Sequence, residues 1–278
     1  MPTVKEIIDS QSNGSCSTTA VRGLSLQIIA EMNLMIPNVL VSIEDLNIEA
    51  TSLAVNPFVQ PAAKEALRRA LKARPRAKFK LNSAYRTVAQ QHLLRSWFEM
   101  GVCNIGRAAL PGLSNHEDGL ALDTPDYNAW ISALENERWQ WFGPGDEVHF
   151  TYLGGGVRDD IGNIGVKAFQ QLWNKNNPSD RITADGIWGW QTAARLNSSP
   201  AEGFGGTRIL KLTEPNMQGE DVRKVQQALV NAGFLTAKDV DGFYGPSTKA
   251  AVEKFQENKG LAKDGAVGPQ TRRLLGLP

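Results

Sequence analysis

The chain has 278 residues, 41% of them hydrophobic and 21% charged, with a formal net charge of +1. At roughly 100–200 residues per domain, this length suggests about two domains, and the composition allows a proper core. Near-neutral charge, with no long run of one sign, excludes the strong field that recruits nucleic acid or an anionic membrane surface.

The N-terminus, Met1-Pro-Thr-Val-Lys-Glu-Ile-Ile-Asp9, carries acids where a signal peptide needs a basic region and an apolar core. No signal peptide is recognisable, and the export route stays open. The most apolar stretch, Leu24 to Ile43, is interrupted by Gln27, Glu31, Asn33, Pro37 and Asn38. It is too polar to insert in a membrane. Residues 1–60 hold no readable motif. Cys16 and Cys103 have neither the number of a disulfide framework nor metal-site spacing, and read as two thiols, free or singly paired.

From Pro61 to Ala73, Ala66, Leu67, Ala70 and Leu71 recur at helical spacing. Lys78 to Ser83 alternates as a strand does. Val88 to Glu99 reads as a helix with Leu93, Leu94 and Trp97 as its apolar stripe, and His92 on its surface. Gly119 to Thr124 and Glu147 to Tyr152 read as short strands. Helices mixed with short strands indicate an α+β domain. Gly154-Gly-Gly156 closes this region, and Ser198 to Gly206 is a second break rich in turn residues. The expected division is 1–156, 157–206 and 207–278.

The C-terminal third repeats itself. Asp241-Gly-Phe-Tyr-Gly-Pro-Ser-Thr248 recurs as Asp264-Gly-Ala-Val-Gly-Pro-Gln-Thr271, and earlier as Asp185-Gly-Ile-Trp-Gly-Trp-Gln-Thr192. Val166-Lys-Ala-Phe-Gln170 and Val252-Glu-Lys-Phe-Gln256 precede two of these. Asp-Gly makes a tight turn, and the Thr that follows can cap a helix. Each unit is therefore a short helix, a glycine turn and another short helix. The pattern resembles the all-α, three-helix peptidoglycan-binding module of wall hydrolases. Residues 207–278 match one whole module, and 157–200 match only its second half. The resemblance implies peptidoglycan as the partner, and hence a cell-wall, periplasmic or extracellular location. No signal for oligomeric state is present.

The chain has three histidines, and two lie in dense polar motifs. In Leu113-Ser-Asn-His116-Glu-Asp-Gly119-Leu-Ala121-Leu-Asp123, a strand from Gly119 would turn Ala121 and Asp123 one way and Leu120 and Leu122 the other. His116 sits on a turn that can fold back toward Asp123. Glu117 and Asp118 read as solvated turn acids. In Asp146-Glu147-Val-His149-Phe-Thr-Tyr152, Val148, Phe150 and Tyr152 would face the core while His149 and Thr151 face a cleft. Two His and one Asp are the three-ligand set of a catalytic zinc, with one position left to water. Asp146 and Glu147 are carboxylates close enough in sequence to His149 to take a proton. Trp139 and Trp141 read as core, while Trp188 or Trp190 could be exposed for glycan stacking.

Ser114-x-His116-x-x-Gly119-x-Ala121-x-Asp123, followed by Asp146-x-x-His149-Phe, resembles the M15 family of zinc peptidases, over roughly residues 60–156. The resemblance implies a hedgehog/DD-peptidase-like zinc fold, a small antiparallel sheet with flanking helices. It also implies one zinc ion on His116, Asp123 and His149, with Asp146 as general base and Glu147 as the fallback. It extends to Ser83-Ala-Tyr85-Arg86-Thr, where the family has an arginine that hydrogen-bonds substrate. Arg86 is expected to hold the oxyanion, with Tyr85 and Ser114 beside the substrate. The implied activity is cleavage of peptidoglycan stem peptides (muropeptides), as a D-alanyl-D-alanine carboxypeptidase. The alternatives are an L-alanyl-D-glutamate endopeptidase of the phage-lysin type and a catalytically inactive, zinc-containing wall-binding protein.

Overall fold

The structure is a computed structural model, and it describes residues 2–10, 16–204, 209–214, 216–217 and 220–277. The chain divides into two compact units, Met1–Gly203 and Phe204–Pro278. Residues 157–203 thus belong to the first unit. No helix among the described residues is long and apolar enough to cross a membrane.

The first unit mixes helices with small sheets. Its helices are α1 (Val4–Asp9), α2 (Arg22–Met35), α3 (Pro61–Lys72), α4 (Val88–Glu99), α5 (Tyr127–Glu135), α6 (Ile161–Asn176) and α7 (Trp190–Ser198). Its strands are β1 (Val41–Ser42), β2 (Ile48–Ala50), β3 (Phe58–Val59), β4 (Phe79–Leu81), β5 (Ala121–Asp123), β6 (Trp139–Trp141) and β7 (His149–Tyr152). The strands form an antiparallel pair β1–β3, a parallel pair β2–β4 and an antiparallel three-stranded sheet in the order β5-β7-β6.

Local chemistry explains the boundaries. Pro61 opens α3 where a missing N–H costs nothing. Thr87 and Gln90 cap α4 reciprocally, each side chain accepting from the other's backbone N–H. The apolar stripe of α3 packs with Phe79, Leu122, Trp130, Trp139 and Phe150 into one buried cluster beneath the three-stranded sheet. Trp139 is fully buried, as expected, and Trp141 stacks on Tyr127 with 5.9 Å between ring centroids.

Helices α1 and α2, from the N-terminal stretch that gave no motif, complete the other half of this unit. Helix α2 packs along α6, and an ion pair joins Glu31 to Lys175 at 2.6 Å. The start of the chain pairs with the end of α7 through Val4 N–H to the Ser199 carbonyl (2.9 Å) and Ala201 N–H to the Pro2 carbonyl (2.9 Å). His92 is not on a surface: α4 turns it toward this half, where it is buried, Nε2 lies 2.8 Å from Asn197 Oδ1, and its ring meets Trp188. Cys16 and Cys103 are joined in a disulfide with Cα atoms 5.8 Å apart.

The second unit contains α8 (Glu220–Asn231), α9 (Pro246–Asn258) and α10 (Pro269–Leu274). They enclose Val222, Val225, Leu229, Tyr244, Val252 and Phe255. The repeated motif is locked by a buried glutamine. Gln226 Nε2 donates to Asp241 Oδ1, the Phe243 carbonyl and Thr248 Oγ1, while Gly242 N–H donates to its Oε1. Gln256 repeats this on Asp264, Ala266, Thr271 and Gly265. In the first unit Gln170 does so on Asp185, Ile187, Thr192 and Gly186. Each Asp-Gly glycine has φ between 64° and 82°, a region costly for side chains with a Cβ.

The third glutamine corrects the repeat reading. Gln170 and Asp185 are 15 residues apart, as are Gln226 and Asp241, whereas Gln256 and Asp264 are 8 apart. The segment 157–200 therefore matches the first half of the module, α8 to α9, and not the second. Gln226 was missed because Val225 stands where the other copies have Phe.

Candidate metal centre

Strand pairing brings two of the three expected ligands together. In the β5–β7 ladder Asp123 lies directly opposite His149, so their side chains share a face. Phe150 and Tyr152 point into the core, and Thr151 is only half-buried on the face of His149. The third ligand comes from the turn before β5. Leu120 N–H bonds the Asn115 carbonyl and Gly119 N–H bonds the His116 carbonyl, folding the turn back over the strand. Gly119 makes this possible, with φ of +64° and its ideal Cβ position only 2.7 Å from Leu40 Cδ2.

The ligand atoms of His116, Asp123 and His149 all lie within 4.8 Å of one another. Asp123 Oδ1 is 2.9 Å from His149 Nδ1 and 3.3 Å from His116 Nε2, and the two ring nitrogens are 3.2 Å apart. Ligand atoms about 2.0–2.2 Å from a tetrahedral zinc stand roughly 3.3–3.6 Å apart, so the three separations lie at that range or up to about 0.4 Å inside it. Tautomers fit as well. His116 Nδ1 lies 2.8 Å from the Ala84 carbonyl; donating there leaves the Nε2 lone pair facing Asp123. His149 Nε2 lies 3.1 Å from Thr151 Oγ1 and 3.0 Å from the Asn115 amide, which leaves Nδ1 to the cluster.

The electrostatics favour a cation. Burial, with Arg86 nearby, holds the His116 imidazole below its ordinary range, hence neutral. Burial would push the Asp123 carboxyl up, but His116, His149 and Arg86 outweigh it and hold the group far below the usual carboxylate range. A neutral imidazole and an ionised carboxylate are the forms a divalent ion binds.

Arg86 reaches the same place through the strand edge. Asn82 N–H bonds the Asp123 carbonyl and Asp123 N–H bonds the Ser83 carbonyl, both at 2.8 Å. The guanidinium lies 3.9 Å from Asp123 Oδ2, with Gln91 Oε1 on Nη1 at 3.1 Å and Ser83 Oγ on Nη2 at 3.4 Å. Asp146 lies on the turn leading into β7, where its carbonyl accepts the His149 N–H. Its carboxylate is about one-third exposed, 3.7 Å from Arg107 and within electrostatic reach of Arg86.

The remaining expected residues stand elsewhere. The Glu147 carboxylate accepts the Tyr127 hydroxyl at 3.0 Å. Tyr85 is buried, its hydroxyl meets Met32 Sδ at 3.0 Å in the helical half, and the residue also lines the cleft that holds Asp123 and Arg86. Ser114 is buried, its carbonyl accepting from Glu117 and Asp118 N–H.

Glu117 and Asp118 are not solvated acids. Glu117 is 1% exposed and its carboxyl accepts from Gly112 and Ser114 N–H. Burial outweighs these bonds and pushes its pKa up to about 8. Asp118 accepts the Gly162 N–H at the start of α6, and burial raises it too. A sequence gives no sign that adjacent acids turn inward. The signal present was Gly112, whose N–H needs an acceptor once its turn is buried.

The family described as "Putative peptidoglycan binding domain" matches residues 218–275. The chain is 35% identical over 109 residues to a probable N-acetylmuramoyl-L-alanine amidase of Bacillus licheniformis, covering 34% of this chain and 31% of the amidase. It is 46% identical over 54 residues to a zinc D-Ala-D-Ala carboxypeptidase of Streptomyces albus G, covering 19% of this chain and 21% of that enzyme. The chain thus spans less than a third of either relative. It is also 40% identical over 83 residues to an uncharacterized protein in the bpoA1 3′ region of Kitasatospora aureofaciens, covering 28% of this chain and 68% of that protein. No solved structure matches the chain. With two thirds of the Kitasatospora protein covered, this chain belongs to that protein's family, and its C-terminal unit carries a peptidoglycan-binding domain.

Proposed function

We propose that the chain is a zinc-dependent peptidase of the M15 kind, with a hedgehog/DD-peptidase-like catalytic fold in the first unit. It acts on peptidoglycan stem peptides as a D-alanyl-D-alanine carboxypeptidase, held on the wall by the second unit. The observation that carries this reading is the convergence of His116, Asp123 and His149, with Arg86 beside Asp123. A wall-binding domain on the same chain supports the substrate class.

A bound zinc would supply Lewis acidity toward a carbonyl oxygen and toward water. The chain's own groups do the rest. His116 supplies a neutral nitrogen, Asp123 an ionised oxygen, and His149 its Nδ1. Arg86 holds the negative charge that develops on the scissile carbonyl oxygen, its planar fork suited to oxygen pairs. Asp146, partly exposed on the turn before His149, accepts the proton from water and returns it to the leaving amine. Tethering to the wall raises the local substrate concentration without any new contact at the site.

The test is mass spectrometry of defined muropeptides incubated with the full chain, with and without a chelator, beside Asp146→Ala. Chelator-sensitive loss of a single terminal alanine supports the carboxypeptidase. Release of the stem after its first residue would replace it with the endopeptidase. Intact muropeptides with zinc demonstrably bound would overturn the hydrolase and leave a wall-binding protein.

A further inference from the structure

A cleft of about 320 Å³ adjoins the triad, with Asp123 in its lining. Its walls come from separate parts of the chain. One group is Asn82, Ser83 and Arg86, next to the metal ligands. Another is the segment Cys16, Ser17 and Thr18, far away in sequence. Two restraints fix that segment. The disulfide ties Cys16 to Cys103 beyond the end of α4. Gln90, 4% exposed, donates to Thr18 Oγ1 at 3.3 Å and to the Ala54 carbonyl at 2.7 Å. Gln90 is itself fixed by Asn56 and the Thr87 N–H. Ser17 Oγ accepts the Thr19 N–H and caps the 3-10 turn Thr18–Val21. A wall held this firmly is a shape, not a fraying end.

The lining also has a definite chemistry. Arg86 is the one cation among the described lining residues, and Asp123, the one acid, is already engaged by two histidines. Hydroxyls and two amides, those of Asn82 and Gln90, make up most of the remaining polar surface. Such a site takes a carboxylate flanked by peptide groups. The volume is at the small end of the range for ligand pockets, about 300–1,000 Å³, which is room for a short peptide segment. We propose that the disulfide-held segment Cys16–Thr18 is the specificity wall of the substrate pocket beside the triad, facing the free carboxylate end that the carboxypeptidase reading already assigns to the substrate. The inference rests on the hydrolase reading above and adds to it a determinant outside the zinc motifs.

Ser17 is the residue through which to test it, because Asp and Asn both cap a turn as Ser does. Ser17→Asp puts a negative charge on the wall, and Ser17→Asn is its neutral isostere, so effects on folding cancel between them. Steady-state kinetics at low salt use a pentapeptide ending in D-Ala-D-Ala and the same peptide as its C-terminal amide. The expected result is a KM for the acid five- to ten-fold higher in Ser17→Asp than in Ser17→Asn, with kcat equal within twofold. With the amide the two variants have equal KM. A KM ratio below twofold for the acid, or an equal ratio for acid and amide, overturns the wall. If the unaltered chain hydrolyses neither peptide, the hydrolase reading has failed, and the wall is judged by binding alone. Titration of the chelated full chain with the acid peptide must then show the same difference in affinity. Absence of binding to the unaltered chain overturns the proposal.

Discussion

Replacing Gln226 with Met keeps the volume of the side chain and deletes its hydrogen bonds. Gln226 is 1% exposed and takes part in four: three donated by Nε2 and one accepted from Gly242 N–H. The lost partners differ in what they can recover. Asp241 and the Phe243 carbonyl are near solvent and can bond water. Thr248 Oγ1 keeps the Phe243 carbonyl at 3.4 Å. Gly242 is buried and its N–H has nowhere to go, which alone costs about 1–3 kcal/mol. Adding the net value of the remaining bonds gives about 2–4 kcal/mol. In a domain of 60–100 residues each kcal/mol moves the Tm by about 4–8 °C, so the melting transition of the second unit should fall by roughly 8–32 °C. Gln170→Met breaks the same lock in the first unit, where size reduces the shift to about 2–4 °C per kcal/mol. Calorimetry of the full chain and the two variants separates the transitions. A shift below about 4 °C for Gln226→Met, or the larger shift in Gln170→Met, would refute the reasoning.

The Cys16–Cys103 disulfide closes a loop of 87 residues in sequence, which in the chain-entropy model contributes about 4–5 kcal/mol. Cys16→Ser with Cys103→Ser should lower the urea midpoint, and reductant should affect only the unaltered chain; a loss under about 1 kcal/mol contradicts this. Glu117 has a folded pKa raised to about 8, so the stability it contributes is whole below about pH 4.5 and lost as pH rises through 8. The chelated protein should therefore be weaker in urea at pH 8.5 than at pH 5, by at most about 5 kcal/mol from this group, and Glu117→Gln should flatten that slope. An unchanged slope removes Glu117 as its source. Gly119→Ala should cost more than the roughly 1–2 kcal/mol of left-handed strain, because its Cβ would stand 2.7 Å from Leu40 Cδ2. It should also weaken zinc binding in a competition assay, since its turn carries His116; equal zinc affinity would separate the turn from the site.

The parts of the fold that were legible in sequence are those set by neighbours along the chain. The α4 boundaries follow from the Thr87–Gln90 capping box, and α3 from Pro61 with its apolar stripe. The triad residues were legible because Gly119, Ala121 and Asp123 alternate, and a strand pair can bring Asp123 opposite His149. What sequence could not supply was partners at long range. Nothing local marks Cys16 for Cys103, or α2 for α6. His92 looked like one more polar residue on a helix, and its burial depends on Trp188 and Asn197, about a hundred residues away. Tyr85 sits in the same stretch as Arg86, yet one side chain enters the helical half and the other approaches Asp123.

The glutamine locks join these two levels. Each is a local device, since one side chain satisfies a turn and the helix start beyond it. The device is indifferent to what packs on its outer face. In the second unit Gln226 and Gln256 occur in succession, so α8, α9 and α10 cover one another. In the first unit Gln170 stands alone, and the missing cover is supplied by α1 and α2 from the start of the chain. That is why α1 and α2 carry no motif of their own: their sequence answers to the surface of another segment. The same arrangement links the half-repeat to the triad. Asp118, two residues from His116, accepts the N–H of Gly162, the second residue of α6, so the turn that holds His116 is bonded to the helix that holds Gln170. Removing the half-repeat should therefore disturb the metal centre as well as the N-terminal helices, which a free-standing wall-binding appendage would not do.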